Sequence, residues 1–149
     1  GAEARCLMTA IGASSMWWPI AAMALVTCCV WVRLYVVRIG EMRRRRIAPQ
    51  SVATSITKAG RYEDVRASDN FINLFELPVM FYVGALAAVQ FSLVDTATLV
   101  LAWMFVIGRA VHSIIQCSYN RVMHRFHAYA AGGFVLWALW GWLTWHLLR

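Results

Sequence analysis

Long apolar stretches alternate with short polar ones along the chain. Four of these stretches have about 20 residues each, which is the length a helix needs to cross a bilayer. They predict membrane spans at residues 17–37, 70–91, 96–119 and 126–148. Residues 1–16 show no clear period, and no fold is assigned to them. The pattern predicts an all-α fold, a four-transmembrane-helix bundle in which one membrane domain covers residues 17–149.

The composition agrees with a chain that lies in lipid. Of the 149 residues, 61% are hydrophobic and only 14% are charged, and eight are Trp, a residue enriched at membrane interfaces. A soluble domain of this length could not bury so much apolar surface, so the lipid bilayer is the predicted partner. The net charge of +7 is not taken as a sign of nucleic acid binding, because the basic residues lie between the spans.

The distribution of cations predicts the orientation in the membrane. The two loops on one side contain Arg38, Arg43, Arg44, Arg45, Arg46, Lys58, Arg61, Arg66, Arg121 and Arg125. The other side contains only Arg5 and Arg149. Because cytoplasmic loops are enriched in Lys and Arg, the chain is predicted to be a multi-pass protein with both termini outside and both basic loops in the cytoplasm.

A stripe of polar residues leads into the second span. On a helix that turns about 100° per residue, these residues fall within an arc of roughly 120°. They are Arg66, Asp69, Asn70, Asn73 and Glu76. Because an unpaired polar group in hydrocarbon loses its hydration, the stripe is predicted to face protein or a cavity. Pro78 removes a helical N–H group and predicts a kink in the same region.

The third span has a matching polar stripe. Its members, within an arc of about 100°, are Arg109, His112, Ser113, Gln116 and Asn120. We expect the two stripes to face each other, with Glu76 and Arg109 as the leading ion pair. Counting the helical rise from the end of each span places Arg33 at a depth similar to that of this pair.

Two interpretations of the stripes stay open on the residues alone. Asn, Gln, Ser and His often form hydrogen bonds between membrane helices, and this would be a purely structural role. Alternatively, the excess of Arg over acidic residues indicates an amphiphilic site that binds an anion, with a lipophilic small molecule entering from the bilayer. No metal is predicted, because the four Cys match no metal spacing and no second His accompanies His112 at its depth.

The motifs resemble those of the MAPEG family, the membrane-associated proteins in eicosanoid and glutathione metabolism. The similar segments are NLFELP at 73–78, RAVH at 109–112 and RLYVVRIGEMRRRR at 33–46. The segment DNFINLFELPVMFY at 69–82 looks especially like the bacterial branch of the family. The resemblance extends from about Trp17 to Leu148.

The resemblance implies a homotrimer that binds glutathione between neighbouring subunits and acts as a transferase or peroxidase on lipophilic electrophiles. It implies that an Arg donates a hydrogen bond to the glutathione sulfur, and Arg125 best matches this catalytic role, with Arg121 second. The residues that match the glutathione-binding positions are Arg33, Asn73, Glu76, Arg109 and His112. Arg66 and Asn70 join them, because Arg66 stands four residues before Asn70, as the Arg of the family motif stands before its Asn.

The chain departs from the pattern of the active family members in three respects, one being that Leu77 and Val79 stand where a Tyr often follows the motif Glu. Asp69 stands four residues before Asn73, where that pattern has Arg, and Gln116 replaces the Tyr that follows the His of the third span. These departures support a second hypothesis, a non-enzymatic subunit that accompanies other membrane subunits and binds lipid. A third is a lipid- or quinone-binding protein. Whether the chain is an enzyme is open at this stage.

Overall fold

The first helical segment is longer than the predicted span. The computed structural model describes the backbone of residues 2–52 and 61–149, and the side chains of residues 12–52 and 61–149. Helix α1 extends over Ala2–Arg45. Residues 2–16, to which the sequence analysis assigned no fold, therefore belong to the first helix. A short 3-10 helix follows at Pro49–Val52. Residues 53–60, which include Lys58, lie outside the described residues, as does the side chain of Arg5.

The second helical segment is divided into two helices. Helix α2 covers Arg66–Asn73 and helix α3 covers Leu77–Gln90. Pro78 lies in the first turn of α3, where its missing N–H needs no partner. The predicted kink is therefore a full break at residues 74–76, because a new helix begins beside the proline instead of one helix bending through it.

The last two helices form a closely packed pair. Helix α4, Thr96–Cys117, begins with Asp95 accepting a hydrogen bond from the Thr98 N–H at 2.7 Å. Helix α5 covers Val122–Leu147 and so starts four residues before the predicted fourth span. A Cβ added at Gly108 of α4 would lie 3.6 Å from the Cα of Gly132 on α5, so these two glycines permit the close approach.

Three of the described helical segments are long and apolar enough to cross a membrane. They are Gly12–Arg45, Arg66–Gln90 and Thr96–Cys117. Helix α5 has 26 residues and is long enough, but its Trp, Gly and His residues make it less hydrophobic. The predicted all-α fold is confirmed, since the described residues form helices without strands. The crossing by α5 stays a prediction.

Part of the apolar core lies beyond the helix break, where α3, α4 and α5 pack together. Phe81 of α3 stacks on Phe105 of α4 with ring centres 4.9 Å apart, and both side chains are fully buried. Leu136 and Leu139 of α5 complete this layer. Many large apolar side chains elsewhere on the helices are exposed, as expected for surfaces that contact lipid. The core therefore holds the helices together beside the break between α2 and α3, where the polar residues collect.

Candidate functional site

The two polar stripes face each other, as the sequence predicted. The Ser113 hydroxyl donates to Asn70 Oδ1 at 3.4 Å, and Asn73 Nδ2 donates to Gln116 Oε1 at 3.1 Å. Asn70 also lies 3.5 Å from the Cys117 sulfur, at its Nδ2. Asn70 is fully buried, so its role in the described part of the chain is to join α2 to α4.

Arg109 closes the end of α2. Its Nη2 donates to the Asn73 backbone carbonyl at 2.8 Å, and its side chain is fully buried. The break at residues 74–76 deprives this carbonyl of the N–H that a continuous helix would provide, and a guanidinium is a favourable partner at a helix C-terminus. Two further nitrogens of Arg109, Nε and Nη1, are buried without a hydrogen-bond partner within the described residues.

The predicted ion pair between Glu76 and Arg109 is wrong. Instead, Tyr129 lies between the two side chains. The Arg109 guanidinium carbon is 5.1 Å from the centre of the Tyr129 ring, and the Tyr129 hydroxyl donates to Glu76 Oε2 at 3.1 Å. The break in the second helical segment turns Glu76 outward, so its carboxylate is exposed while Arg109 stays buried.

His112 connects three helices. Its Nδ1 is 3.1 Å from the Arg125 backbone carbonyl on α5, and its Nε2 is 2.9 Å from Gln116 Oε1. The ring also meets the edge of the Tyr129 ring at a centre-to-centre distance of 5.5 Å. Since Gln116 bonds Asn73 as well, His112 is linked to the end of α2 through one amide group.

These side chains border a pocket of about 240 Å³, which we call the polar pocket. It is lined by Asn73, Glu76, His112, Val122, Arg125, Phe126 and Tyr129. Arg125 is partly exposed there and donates from Nη1 to Asn120 Oδ1 at 3.1 Å. The pocket thus combines one carboxylate, one guanidinium, a phenol and an imidazole with an apolar edge on α5.

Two of the predicted glutathione-binding residues lie elsewhere and act on the end of α4. Arg33 donates to the Cys117 carbonyl at 2.5 Å, and Arg66 donates to the Ser118 carbonyl. Cations near the last carbonyls of a helix stabilise its C-terminus. Arg33 also borders a separate apolar groove of about 310 Å³ between α1 and α4. Within the subunit, neither residue reaches the polar pocket.

The second predicted catalytic residue is also outside the polar pocket. Arg121 precedes α5, is exposed, and does not contribute to the pocket lining. Of the nine predicted site residues, the structure brings together Asn73, Glu76, His112 and Arg125 around the pocket, with Arg109 buried behind them. The structure gives Asn70, Arg33 and Arg66 partners within the bundle.

Acidic residues join residues 61–66 to each other and to the end of α1. Glu41 accepts hydrogen bonds from the Glu63 N–H at 2.6 Å and from Arg45 at 2.9 Å. Asp64 forms a fork with Arg66, whose Nε and Nη2 donate at 2.9 and 2.8 Å. These hydrogen bonds from Arg66 hold the pKa of the Asp64 carboxyl below its usual value, although partial burial opposes the shift.

The described residues contain no group of three or more His, Cys, Asp or Glu side chains arranged to hold a metal ion. Cys28 and Cys29 are exposed on α1, and Cys117 is buried beside Asn70. The groups that the polar pocket offers to a bound molecule are therefore hydrogen-bonding and charged side chains.

Tyr129 is the pocket residue that the sequence reasoning missed. It was hidden because a Tyr within an apolar run is usually a packing or interfacial residue. A signal was present, since Tyr129 follows Arg125 by four residues and so shares its face of α5. Residues on that face approach α4 because Gly132, three positions further, lies against Gly108.

A bundle of apolar helices with a charged pocket at a helix break defines an integral membrane protein with a polar site inside the bundle. The MAPEG family profile matches residues 16–145, which is most of the chain. The chain therefore belongs to the MAPEG family, and the resemblance seen in its motifs is confirmed. No curated protein and no solved structure matches the chain.

Proposed function

We propose that this MAPEG-family protein binds glutathione at the polar pocket and transfers it to lipophilic electrophiles, or uses it to reduce lipid peroxides. The observation that carries the proposal is the position of Arg125 in the pocket lining, beside His112 and Tyr129. A cation within hydrogen-bond reach of a thiol favours the thiolate, which is the nucleophilic form.

The charges of the pocket suit a zwitterionic peptide. Glu76 is exposed at the helix break and can accept from an ammonium group, while Asn73 can hydrogen-bond to the peptide backbone. Only Nη1 of Arg125 has a partner within the described residues, so the other N–H groups of its guanidinium remain for the sulfur. The apolar edge formed by Val122 and Phe126 provides a contact for a lipophilic substrate.

The transfer reaction needs only groups that the proposal names. The glutathione thiol loses its proton to water in the pocket, and Arg125 stabilises the resulting thiolate. A sulfur electron pair then forms a bond to the electrophilic carbon, and the leaving group departs with its own electron pair. On a lipid hydroperoxide the thiolate sulfur would instead bond to the terminal oxygen as the O–O bond breaks, and the lipid alkoxide would leave and take a proton from water. A second glutathione thiol would then attack the sulfenic acid sulfur, which forms the disulfide and releases water.

A homotrimer would bring Arg33 of a neighbouring copy to the site. Arg33 lies on the α1–α4 groove, away from the polar pocket of its own subunit. The resemblance implies that glutathione binds between subunits, and a neighbouring copy could present its Arg33 to the pocket. Chemical cross-linking of the purified protein should then give a trimer, whereas a monomer would contradict this part of the proposal.

The proposed orientation places both basic loops in the cytoplasm and both termini outside. The contact of Arg33 with the Cys117 carbonyl puts the Arg43–Arg46 run and the α4–α5 turn at the same end of the bundle, which supports a common side. Labelling of single Cys variants in sealed vesicles tests it. A Cys in the α4–α5 turn should be protected from an impermeant reagent outside, and labelling there would contradict the proposal.

Calorimetry of glutathione binding to the detergent-purified protein tests the function directly. We expect saturable binding, and we expect Arg125→Ala to lose conjugation of a model aryl halide. Arg121→Ala is the matched comparison, because Arg121 precedes the same helix but lies outside the pocket. Loss of activity in both variants, or in neither, would contradict the assigned role of Arg125.

A non-enzymatic membrane subunit is the second candidate function. The specific observation in its favour is that Arg33, Arg66, Asn70 and Arg109 all have intramolecular partners, as expected for residues that only join helices. This reading predicts co-purification with other membrane proteins after mild solubilisation, and no heat of binding with glutathione. Saturable glutathione binding by an isolated homo-oligomer would exclude it.

A further inference from the structure

The hydrogen bonds around His112 restrict where its protons can lie. The partner of Nδ1 is the Arg125 backbone carbonyl at 3.1 Å, and a carbonyl oxygen can only accept. Nδ1 must therefore carry a proton in every state that keeps this bond. The neutral ring then has no proton on Nε2, and Nε2 is the atom that gains or loses one when His112 titrates.

Gln116 must respond to that proton. One terminal atom of the Gln116 side chain lies 2.9 Å from His112 Nε2 and 3.1 Å from Asn73 Nδ2. With Nε2 protonated, this atom is Oε1 and accepts from both His112 and Asn73. When Nε2 carries no proton, this nitrogen can only accept a hydrogen bond. Gln116 must then reverse its amide and present its NH₂ group, which has two hydrogens to donate.

Reversal of Gln116 obliges Asn73 to reverse too. Its side chain then offers Oδ1 to Gln116 and leaves Nδ2 for the polar pocket, which Asn73 lines. When His112 is protonated, Asn73 Nδ2 donates to Gln116. Asn73 Oδ1 then has no partner within the described residues and is available to a ligand. The pocket wall at Asn73 is thus a hydrogen-bond acceptor when His112 is protonated and a donor when His112 is neutral.

We propose that Gln116 is a specificity-determining residue that couples the proton on His112 Nε2 to the donor or acceptor character of Asn73 in the polar pocket. The neutral state would favour ligand carboxylate or carbonyl oxygens at this position, and the protonated state would favour ligand N–H groups. We call this coupling of His112, Gln116 and Asn73 the relay, and it depends only on the geometry of the three side chains. Its consequence for glutathione rests on the proposed function.

The surroundings of His112 determine how readily the relay operates. The charged groups near the ring are the guanidinium groups of Arg109 on α4 and Arg125 on α5, and the Glu76 carboxylate reaches this cluster through Tyr129. The exchange itself is balanced, since one proton moves between water in the pocket and Nε2. No bond between heavy atoms changes.

Nitrogen NMR of the protein labelled with ¹⁵N in His, Asn and Gln tests the relay without any ligand. A His112→Gln variant identifies the His112 signals, and His124, which is exposed beyond the pocket, provides an internal control. We expect the neutral His112 ring to carry its proton on Nδ1. A neutral ring protonated on Nε2, or a titration of His112 that leaves the Asn73 and Gln116 amide signals unchanged, would overturn the inference.

Two variants of Gln116 separate coupling from packing. Gln116→Glu supplies an acceptor that cannot reverse, so His112 should stay protonated to higher pH, by at least about one pH unit. Gln116→Met keeps the bulk but removes the amide, so the Asn73 signals should no longer follow the titration of His112. If both variants titrate like the wild type, Gln116 does not couple the two residues.

Calorimetry with glutathione at a series of pH values extends the test to the ligand. The wild type should show an affinity that changes across the His112 titration, and Gln116→Met should lose that dependence. Absence of glutathione binding together with an intact NMR relay would remove the proposed function but leave the inference. Binding with the same pH profile in both proteins would overturn the inference but leave the proposed function.

Discussion

Arg109 on α4 donates from Nη2 to the backbone carbonyl of Asn73, the last residue of α2, across 2.8 Å. The contact joins a fully buried cation to the helix break on which the polar pocket is built. Because Asn73 also bonds Gln116 through its side chain, one residue transmits the position of α2 to both Arg109 and His112. The pocket geometry therefore depends on this break.

Replacement of Arg109 should destabilise the bundle more than replacement of an exposed Arg. Arg109→Ala leaves the Asn73 carbonyl without its donor and a cavity beneath the Tyr129 ring, and we expect a loss of about 2–4 kcal/mol in the free energy of unfolding. Urea or thermal unfolding in detergent, followed by Trp fluorescence, measures the effect. Arg121→Ala is the control and should change stability by less than about 0.5 kcal/mol. Equal effects of the two variants would show that the contact at Asn73 contributes little.

Two substitutions at Tyr129 should divide its contribution into two parts. Tyr129→Phe removes the hydrogen bond to Glu76 but keeps the ring over Arg109, and we expect a loss of about 1 kcal/mol. Tyr129→Leu also removes the ring, and we expect a further loss of about 0.5–2 kcal/mol from the cation–π contact and packing. The same unfolding assay measures both. If Tyr129→Phe is as unstable as Tyr129→Leu, the ring does not stabilise the buried guanidinium.

The periodicity of polar residues was sufficient to predict which helix faces meet. The contacts from Asn70 to Ser113 and from Asn73 to Gln116 follow from two stripes of polar groups that must avoid lipid. The partner of Arg109 could not be predicted in this way, because it is a backbone carbonyl that becomes available only where the helix breaks. Pro78 indicated a distortion, but a proline is compatible with both a bend and a new helix start.

The roles of Arg33 and Arg66 show a second limit of the sequence. Both were predicted to bind glutathione because their positions match the MAPEG pattern. In the structure they donate to the carbonyls of Cys117 and Ser118 at the end of α4. An Arg that caps a helix and an Arg that binds an anion have the same position in a sequence, and only the distance to a partner separates them.

Acid should weaken the fold partly through Asp64. Its pKa in the folded protein is lowered by the hydrogen bonds from Arg66, so its ionised form stabilises the fold at pH values above about 4, the usual pKa of an unfolded Asp. This contribution is lost as the pH falls from there through the lower pKa of the folded state. Asp64→Asn should therefore unfold more easily than the wild type at neutral pH, and the difference should shrink on acidification.

Unfolding curves at pH 7 and below pH 4 measure this difference. Asp69→Asn is the matched control, because Asp69 is exposed on the next turn and its carboxylate has no ion pair within the described residues. The control should keep a constant, small difference from the wild type at both pH values. A stability difference for Asp64→Asn that does not depend on pH would contradict the role assigned to the Asp64 carboxylate.

Ser92 offers a site where a substitution should stabilise the protein. It follows the end of α3 with φ 56, a left-handed conformation that costs most L-residues about 1–2 kcal/mol. The next residue, Leu93, donates its N–H to the Ala88 carbonyl at 2.8 Å, which is the bond expected when a helix ends in this conformation. Gly adopts it without steric cost, so Ser92→Gly should raise the free energy of unfolding by about 0.5–1 kcal/mol and the melting temperature by about 1–4 °C.

Two control variants test whether the stabilisation comes from the backbone conformation of residue 92. Ser92→Ala removes the exposed hydroxyl but keeps the Cβ, so it should not stabilise the protein. Gln90→Gly, two residues earlier and still helical, should lower the free energy of unfolding by about 0.5–1 kcal/mol, because Gly is a poor helix former there. A loss of stability in Ser92→Gly would mean that the greater freedom of Gly in the unfolded chain outweighs the relief of strain, and the tight turn between α3 and α4 would then not be a strained element of the fold.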